Sequence, residues 1–249
     1  MKLIKCLVLA LVVTSCASRS SGTNQRDYQI GAYMWQQRSG EYRALTYQAY
    51  NIARERVEQE LQNKHRHKRA VVFDIDETLL DNSFSGAREI KEGIEWKESY
   101  FTDWAKLKQA IAIPGALEFV KFLEKNKIEI FYISNRRTSV LQETYENLKE
   151  QGFPVKIENV LLMEEVKNKE SRRQHVLKNH LIVMLVGDNL ADFSEVFEDK
   201  NVTERNALVD KNRHEFGSRF IMLPNALYGD WERALPKVNS KKDHLLVNP

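Results

Sequence analysis

Acidic and hydroxyl side chains follow three apolar stretches of the sequence, residues 70–73, 128–133 and 181–186, each of which predicts a buried strand. The polar residues that follow these stretches are Asp74, Asp76 and Thr78, then Ser134, Asn135 and Arg136, then Asp188 and Asp192. In open α/β sheets, ligands bind at the edge where the carboxyl ends of the strands meet. If the three strands are neighbours, these side chains converge in one crevice. Converging carboxylates repel each other unless a cation neutralises them, and oxygen ligands suit a hard divalent ion such as Mg²⁺.

The spacing of Asp74 and Asp76 suits covalent catalysis. Where a strand turns into a loop, side chains two residues apart can reach one substrate from two sides. One carboxylate would then act as the nucleophile and the other as the acid and base. The competing interpretation is that both are turn or capping residues, because Asp is favoured in those roles too. The presence of similar polar motifs at three strand ends favours catalysis.

Several other catalytic chemistries lack their residues in this sequence. No group of His and Cys has the spacing of zinc ligands. A cysteine phosphatase needs an Arg six residues after its Cys, and neither Cys6 nor Cys16 has one. A histidine phosphatase needs Arg-His-Gly, whereas residues 213–215 are Arg-His-Glu. The sequence also contains no Walker loop and no Gly-x-Gly-x-x-Gly motif.

The pattern of apolar residues predicts strands that alternate with helices. Strands are predicted at 70–73, 128–133, 160–163, 181–186 and 220–223, and helices at 42–61, 114–125, 138–151 and 169–178. Such alternation forms βαβ units and a parallel sheet. The predicted fold class is therefore α/β with a Rossmann-like parallel sheet. Residues 80–112 combine aromatic and charged residues without a clear strand, and they predict an insertion over the sheet.

The composition is that of a nearly neutral globular protein. The 249 residues include 38 Lys and Arg against 35 Asp and Glu, for a net charge of +3, and 42% of them are hydrophobic. A chain of this size can bury a substantial core without disulfides or a structural metal. The lack of a basic excess argues against a nucleic-acid polymer as the main partner.

The first residues predict export and a lipid anchor. Residues 1–15 combine lysines with an apolar stretch too short to span a bilayer, which is typical of a signal peptide. The residues before Cys16 resemble a bacterial lipobox, so Cys16 would become the lipidated first residue of the mature chain. Ordinary secretion with an incidental Cys16 is the alternative. Residues 16–30 are then predicted to be a tether, and residues 31–249 a single domain.

Several motifs resemble those of a known superfamily. Residues 73–78 read FDIDET, residues 133–136 read ISNR and residues 187–193 read GDNLADF, and together they are similar to the motifs of the haloacid dehalogenase-like superfamily. More narrowly, the chain resembles the class C acid phosphatases of bacteria, which are surface lipoproteins that include 5′-nucleotidases. The narrower resemblance rests on the lipobox and on the stretches DIDETLLDN, KESRR and NALYGDW.

This resemblance has implications for fold, function and location. It implies a parallel sheet of the haloacid dehalogenase-like type with a mainly helical cap, built from residues 31–66, 80–112 and 224–249. It implies a surface-anchored acid phosphatase that hydrolyses small phosphomonoesters, above all nucleoside 5′-monophosphates, and it suggests a homodimer. The expected location is the bacterial cell envelope, on the outer membrane of a double-membrane host or otherwise on the outer face of the cell membrane.

The resemblance also implies catalytic roles. Asp74 would be the nucleophile that forms an aspartyl-phosphate, and Asp76 would protonate the leaving alcohol and then activate water. One Mg²⁺ per chain would be held by the carboxylates of Asp74 and Asp188 and by the backbone carbonyl of Asp76. Asp192 would complete this acidic signature and bind the metal through water.

Other residues are implied to bind the phosphoryl group. Ser134 and the backbone of Asn135 would hold phosphate oxygens. Lys169 matches the family's phosphate-binding lysine, and Lys167 is the alternative for that role.

Two aromatic residues match those with which the family sandwiches a base. They are Tyr228 and Trp104, and core packing is the alternative for each. Aromatic faces stack on nucleobases with little regard to base identity. Other functions remain open as well. A broad-specificity phosphatase or a phosphotransferase would use the same fold, whereas a solute-binding surface lipoprotein would have no turnover and no need for the complete set of catalytic residues.

Replacement of Cys16 by Ser is expected to release the protein from membranes, because the sulfur that carries the lipid is lost. Palmitate labelling and the partition of the expressed protein between membrane and soluble fractions measure this. The matched control is Cys6→Ser, which changes the other cysteine and should leave labelling and partition intact. Membrane partition of Cys16→Ser equal to that of the unaltered protein would contradict the predicted anchor.

Overall fold

The computed structural model describes residues 26–247, which fold around a five-stranded parallel sheet. The predicted signal peptide, Cys16 and most of the predicted tether lie outside the described residues. The strands in chain order are β1 (Lys68–Phe73), β2 (Leu80–Asp81), β3 (Ile111–Ala112), β4 (Glu129–Arg137), β5 (Val160–Met163), β6 (His180–Gly187) and β7 (Phe220–Met222). The order in the main sheet is β5-β4-β1-β6-β7, and β2 pairs with β3 in a separate two-stranded antiparallel sheet.

Helices cover both faces of this sheet. They are α1 (Ile30–Arg38), α2 (Gly40–Glu60), α3 (Ser83–Glu92), α4 (Glu98–Leu107), α5 (Ala116–Lys125), α6 (Leu141–Glu150), α7 (Glu170–Leu177), α8 (Val202–Lys211) and α9 (Asp230–Arg233). Helices α2, α5 and α6 contribute to the hydrophobic core on one face, and α7 and α8 contribute to the core on the other. This arrangement confirms the predicted α/β fold class. No helix within residues 26–247 has the length and apolar character of a bilayer-spanning segment.

Alternation along β1 explains why both faces of the sheet are buried. Val71 and Phe73 belong to one hydrophobic cluster, whereas Ala70 and Val72 belong to the other. A strand that is buried on both faces has a continuous apolar sequence, as residues 70–73 do. The ring of Phe73 lies 5.9 Å from that of Phe119, centroid to centroid, so β1 and α5 share one core.

The predicted strands and helices are present, several with shifted ends. The strand predicted at 128–133 continues to Arg137, which pairs with Met163 of β5 after an irregularity in the register. The helix predicted at 138–151 begins with a 3₁₀ turn at Thr138–Val140, and its α-helical part starts at Leu141. Gly152 follows that helix at a φ of 85°, a backbone conformation that favours glycine.

Helices α1, α3, α4, α8 and α9 lie outside the predicted elements. For α8 a local signal was present, because Asn201 and Glu204 form a capping box at its start. The insertion was predicted to contain no clear strand, and this prediction was wrong. A short strand lies at each of its ends, β2 before α3 and β3 after α4. Strands of two residues are too short to produce an alternating pattern, which is why the sequence did not reveal them.

Three segments that are distant in sequence contact each other beside the insertion. Arg26 forms an ion pair with Glu89 of α3, and Gln29 donates a 2.6 Å hydrogen bond to the carbonyl of Leu227. Residues 26–30, the end of the predicted tether, are therefore part of the folded structure. The predicted cap segment 31–66 also needs correction, because α2 lies within it but packs on the sheet and buries Ala53 completely in the core.

Candidate active site

The three polar strand ends lie side by side at one edge of the sheet. β1 pairs with β4 on one side and with β6 on the other, and both pairings are parallel. Asp74 follows β1, Ser134 lies in the last part of β4, and Asp188 follows β6. The strands are therefore neighbours, as the convergence of these side chains requires.

Lys169 joins two of the aspartates. It immediately precedes α7 and is 5% exposed, and its ammonium group contacts Oδ1 of Asp74 and, at 2.6 Å, Oδ1 of Asp192. Burial alone would lower the pKa of Lys169, but the carboxylates of Asp192 and Asp74 outweigh burial and raise it. The ammonium group is therefore charged at any physiological pH. Lys167, the alternative, is exposed.

Asp188 has a hydrogen-bond donor on each carboxylate oxygen. The hydroxyl of Thr78 donates to Oδ1 at 3.0 Å, and the amide of Asn225 donates to Oδ2 at 2.7 Å. Burial and the nearby carboxylate of Asp192 together raise the pKa of Asp188 to about 7, against the opposing effects of Asn225, Lys169 and Thr78. The carboxyl group thus binds a proton readily when no cation is bound.

The carboxylates of Asp74, Asp188 and Asp192 form a group that fits a divalent cation. One oxygen from each lies within 4.8 Å of the others. If all three are ionised, their three negative charges exceed the single positive charge of Lys169 by two. Burial, opposed by Lys169, also raises the pKa of Asp74 well above its usual range, and the carboxylates of Asp192 and Asp188 add to that rise. A hard divalent cation with oxygen ligands would relieve this repulsion.

Gly187 allows Asp192 to enter the site. A Cβ atom at residue 187 would overlap the carboxylate of Asp192, so no larger residue fits without displacing it. Oδ2 of Asp192 accepts a 2.9 Å hydrogen bond from the backbone N–H of Asn189, which orients the carboxylate. Close approach of the backbone thus explains the glycine in the GDNLADF motif.

Asp76 faces a different set of partners from those of Asp74. The guanidinium group of Arg136 forms an ion pair with it at 2.8 Å, and the amide of Asn82 donates to it at 2.8 Å. The hydroxyl of Ser134 donates to Oδ2 of Asp76 at 3.2 Å. Asp76 therefore lies beside the serine that is expected to bind phosphate.

Arg172 of α7 connects the last part of β4 to the segment that precedes α7. It donates to the carbonyl of Ser134 at 2.6 Å, to Oδ1 of Asn135 at 2.7 Å and to the carbonyl of Lys167 at 3.0 Å. Ser134 is fully buried, whereas the side chain of Asn135 is exposed. Arg172 thus fixes the separation between Ser134 and the segment that carries Lys169.

The two predicted substrate aromatics have different surroundings. Trp104 is 5% exposed, lies in the core cluster and donates from its indole N–H to Oδ1 of Asn82 at 2.9 Å. Tyr228 is 38% exposed, and its hydroxyl contacts the buried carboxyl group of Glu77. A buried indole offers little face to a base, so of the two aromatic rings only that of Tyr228 has a substantial exposed area.

Sequence reasoning assigned no role to several residues that the site contains. They are Glu77, Arg136, Arg172 and Asn225. For Arg136 a signal existed, because Ser134 and Arg136 are two residues apart on a strand and share one face. The burial pattern agrees, since both are buried and Asn135 between them is exposed. The partners of Glu77 and Asn225 are distant in sequence, and no local pattern indicates them.

Comparison with known proteins places the chain in a family. The model of the acid phosphatases of the haloacid dehalogenase superfamily, subfamily IIIB, matches residues 3–231. The stem 31 kDa glycoprotein of Glycine max is 25% identical over 169 residues, which cover 65% of this chain and 60% of that protein. The chain therefore spans less than two thirds of the length of that relative.

Two solved structures are similar over most of their length. The class C acid phosphatase from Bacillus anthracis is 40% identical with a TM-score of 0.82, and the match covers 85% of this chain and 89% of that one. A structure of the class C acid phosphatase from the same organism with tungstate bound is 38% identical, also with a TM-score of 0.82, and the match covers 88% and 95% of the two chains.

The chain belongs to the acid phosphatases of the haloacid dehalogenase superfamily, subfamily IIIB, a class of hydrolases that act on phosphomonoesters. This confirms the resemblance found in the sequence motifs, and with it the expected type of parallel sheet. The cluster of aspartates agrees with a divalent metal at the site.

Binding of Mg²⁺ to the metal-free protein is expected to weaken as the pH falls below about 7. Burial raises the pKa of Asp188 to about 7, so below that pH the cation must displace a proton, whereas above it the carboxylate is already ionised. Exchange of one proton weakens the apparent affinity about tenfold per pH unit. Isothermal titration calorimetry in buffers of different protonation enthalpy measures both the affinity and the proton release. An affinity that is constant across this range would show that no proton leaves Asp188 when the cation binds, and would contradict the place of Asp188 among the metal ligands.

Proposed function

We propose that this chain hydrolyses phosphomonoesters, with nucleoside 5′-monophosphates as preferred substrates, through an aspartyl-phosphate formed on Asp74 and with bound Mg²⁺. The observation that carries the proposal is the position of Asp74 at the end of the central strand. There it contacts Lys169 on one side and lies two residues from Asp76, which has its own cation in Arg136. Asp74 thus faces Asp188, Asp192 and Lys169, whereas Asp76 faces Ser134.

The first chemical step transfers the phosphoryl group to Asp74. A carboxylate oxygen of Asp74 forms a bond to phosphorus as the bond between phosphorus and the leaving oxygen breaks, and Asp76 gives its proton to that oxygen. In the second step water attacks phosphorus, Asp76 takes a proton from the water, and the bond to Asp74 breaks to release inorganic phosphate. The same residue thus serves as acid and then as base.

Positioning and charge neutralisation contribute most to such phosphoryl transfers. The hydroxyl of Ser134, the backbone of Asn135 and the ammonium of Lys169 would bind the phosphoryl oxygens. Mg²⁺ would be held by the carboxylates of Asp74 and Asp188 and by the backbone carbonyl of Asp76. Asp192 lies close by and would bind the metal through water. When bound, Mg²⁺ supplies positive charge that offsets the repulsion between Asp74 and the phosphoryl oxygens.

The tungstate-bound relative supports an oxyanion site in this fold. Tungstate and phosphate are both tetrahedral oxyanions, and the B. anthracis protein that binds tungstate shares 38% of its residues with this chain. Lys169 and Ser134 give this chain buried donors of the kind that such an anion needs, and the half-buried Arg172 holds the carbonyl of Ser134 in place. We therefore expect tungstate to compete with substrate here as well.

The preference for nucleotides rests on Tyr228. Its ring is partly exposed and its hydroxyl is held by Glu77, the residue after Asp76, so the ring lies close to the catalytic loop. Stacking of a base on an aromatic side chain contributes roughly 1–3 kcal/mol. A sugar phosphate offers no such face and would bind more weakly.

We also propose that Cys16 carries a lipid that anchors the enzyme to the bacterial envelope. The support is the sequence around Cys16 alone, which lies outside the described residues. The homodimer that the resemblance suggests stays a prediction.

Asp74→Asn is expected to lower kcat with any phosphomonoester by about a thousandfold or more, because the attacking charge is lost while the shape is kept. Rapid acid quench with labelled substrate should trap a phosphoenzyme in the unaltered protein and none in the variant. The matched control is Asp103→Asn, which changes an exposed aspartate of α4 and should keep full activity. Substantial turnover by a folded Asp74→Asn protein would assign the nucleophile to another residue.

Tyr228→Ala is expected to reduce kcat/KM for nucleoside 5′-monophosphates by roughly 5- to 150-fold, the equivalent of one lost stacking contact. The value for p-nitrophenyl phosphate should fall much less, since the small aryl group depends less on the stacking ring. Tyr228→Phe keeps the ring, loses only the contact with Glu77, and should retain the preference for nucleotides. If Tyr228→Ala slows all substrates equally, the residue has a structural role and the nucleotide preference lacks support.

A further inference from the structure

The two carboxylate oxygens of Asp76 have unequal surroundings. Oδ1 accepts hydrogen bonds from Nε of Arg136 at 3.0 Å, from Nη2 of Arg136 at 2.8 Å and from the amide of Asn82 at 2.8 Å. Oδ2 has the Ser134 hydroxyl at 3.2 Å and a longer contact of 3.3 Å with Nε of Arg136. Oδ1 is therefore fully engaged by fixed donors, whereas Oδ2 faces the serine that would bind the phosphoryl group.

Arg136 is held in one orientation. It is 2% exposed, and its remaining nitrogen, Nη1, donates to the hydroxyl of Thr144 at 3.3 Å. The ring of Phe101 lies against the guanidinium group, with its centroid 5.6 Å from Cζ. A planar guanidinium group that is fixed on three sides positions a carboxylate more rigidly than a lysine could.

Asn82 is oriented by Trp104. An indole N–H can only donate, so the oxygen of the Asn82 amide must face Trp104 and its NH₂ group must face Asp76. The 2.9 Å bond from Trp104 to Oδ1 and the 2.8 Å bond from Nδ2 to Asp76 match this assignment. Helix α4 of the insertion is thus connected to Asp76 through the indole of Trp104 and the amide of Asn82.

We propose that Arg136 and the Trp104–Asn82 pair are positioning residues that hold Oδ1 of Asp76, so that Oδ2 is the oxygen that passes its proton to the leaving group. This inference rests on the proposed role of Asp76 as the acid. It assigns a catalytic task to the insertion that differs from base binding, because Trp104 acts through Asn82 and Asp76 and touches no substrate.

The effect of losing this positioning depends on the leaving group. A nucleoside 5′-hydroxyl leaves as a very basic alkoxide unless it receives a proton, whereas p-nitrophenolate is stable enough to leave without one. The value of kcat/KM reports only the steps up to the first bond cleavage, and therefore excludes the later role of Asp76 as base. Loss of positioning should lower kcat/KM for nucleotides and spare that for p-nitrophenyl phosphate.

The test compares Trp104→Phe and Arg136→Lys with the unaltered enzyme on both substrates. Trp104→Phe keeps a large ring and removes the N–H, and Arg136→Lys keeps the charge and removes the fork of donors. Each should lower kcat/KM for adenosine 5′-monophosphate by about tenfold or more and that for p-nitrophenyl phosphate by less than about threefold, since general acid catalysis contributes about 10²- to 10⁴-fold in total. Arg137→Lys is the matched control on the neighbouring residue, whose exposed side chain pairs with Glu98, and should change neither value.

Two further measurements separate the possible outcomes. Competition by tungstate should be unchanged in both variants, because the phosphoryl site is intact. Asp76→Asn sets the full effect of losing the acid. Asp76→Asn should lower kcat/KM for the nucleotide more than that for p-nitrophenyl phosphate. If it does so, but Trp104→Phe and Arg136→Lys leave both values unchanged or lower both equally, the positioning role is overturned while the proposed function stands. If Asp76→Asn itself does not discriminate, the proposed acid role fails, and the inference fails with it.

Discussion

Burial of several carboxylates at one edge of a sheet is tolerated only when each meets a positive charge or a hydrogen-bond donor. The rest of the site depends on how this protein meets that constraint. Lys169 contacts Asp74 and Asp192, and Arg136 contacts Asp76, so the two cations serve different carboxylates. The negative charge that remains in the group containing Asp188 is what makes the site suited to a divalent cation.

The order of strands divides the site into two halves. On the side of β6 and α7 lie Asp188, Asp192 and Lys169, which surround Asp74. On the side of β4 and the insertion lie Ser134, Arg136 and Asn82, which contact Asp76. Asp74 and Asp76 can belong to different halves because they follow the central strand, with a neighbouring strand on either side.

Segments outside the sheet contact the loop after β1 through side-chain hydrogen bonds. The insertion does so through Trp104 and Asn82, and the C-terminal segment does so through Tyr228 and Glu77. The two contacts are themselves linked, because the backbone N–H of Asn82 donates to Glu77 at 2.8 Å. A buried polar group that loses its partner is costly, so these bonds fix the loop and the surrounding segments together.

The sequence alone determined the elements whose signal is local. A continuous apolar stretch such as residues 70–73 predicts a buried strand, and Asp74 and Asp76 after it predict that polar side chains gather at the end of that strand. Short strands such as β2 have no such period, and neither do helices such as α1, whose apolar residues are not confined to one face; these elements were missed. The tertiary structure alone decided which residues meet Asp76 and Tyr228. Arg136 lies 60 positions from Asp76, and Glu77 lies 151 positions from Tyr228, and the pairing of such distant groups depends on strand order and packing, which no local pattern of residues encodes.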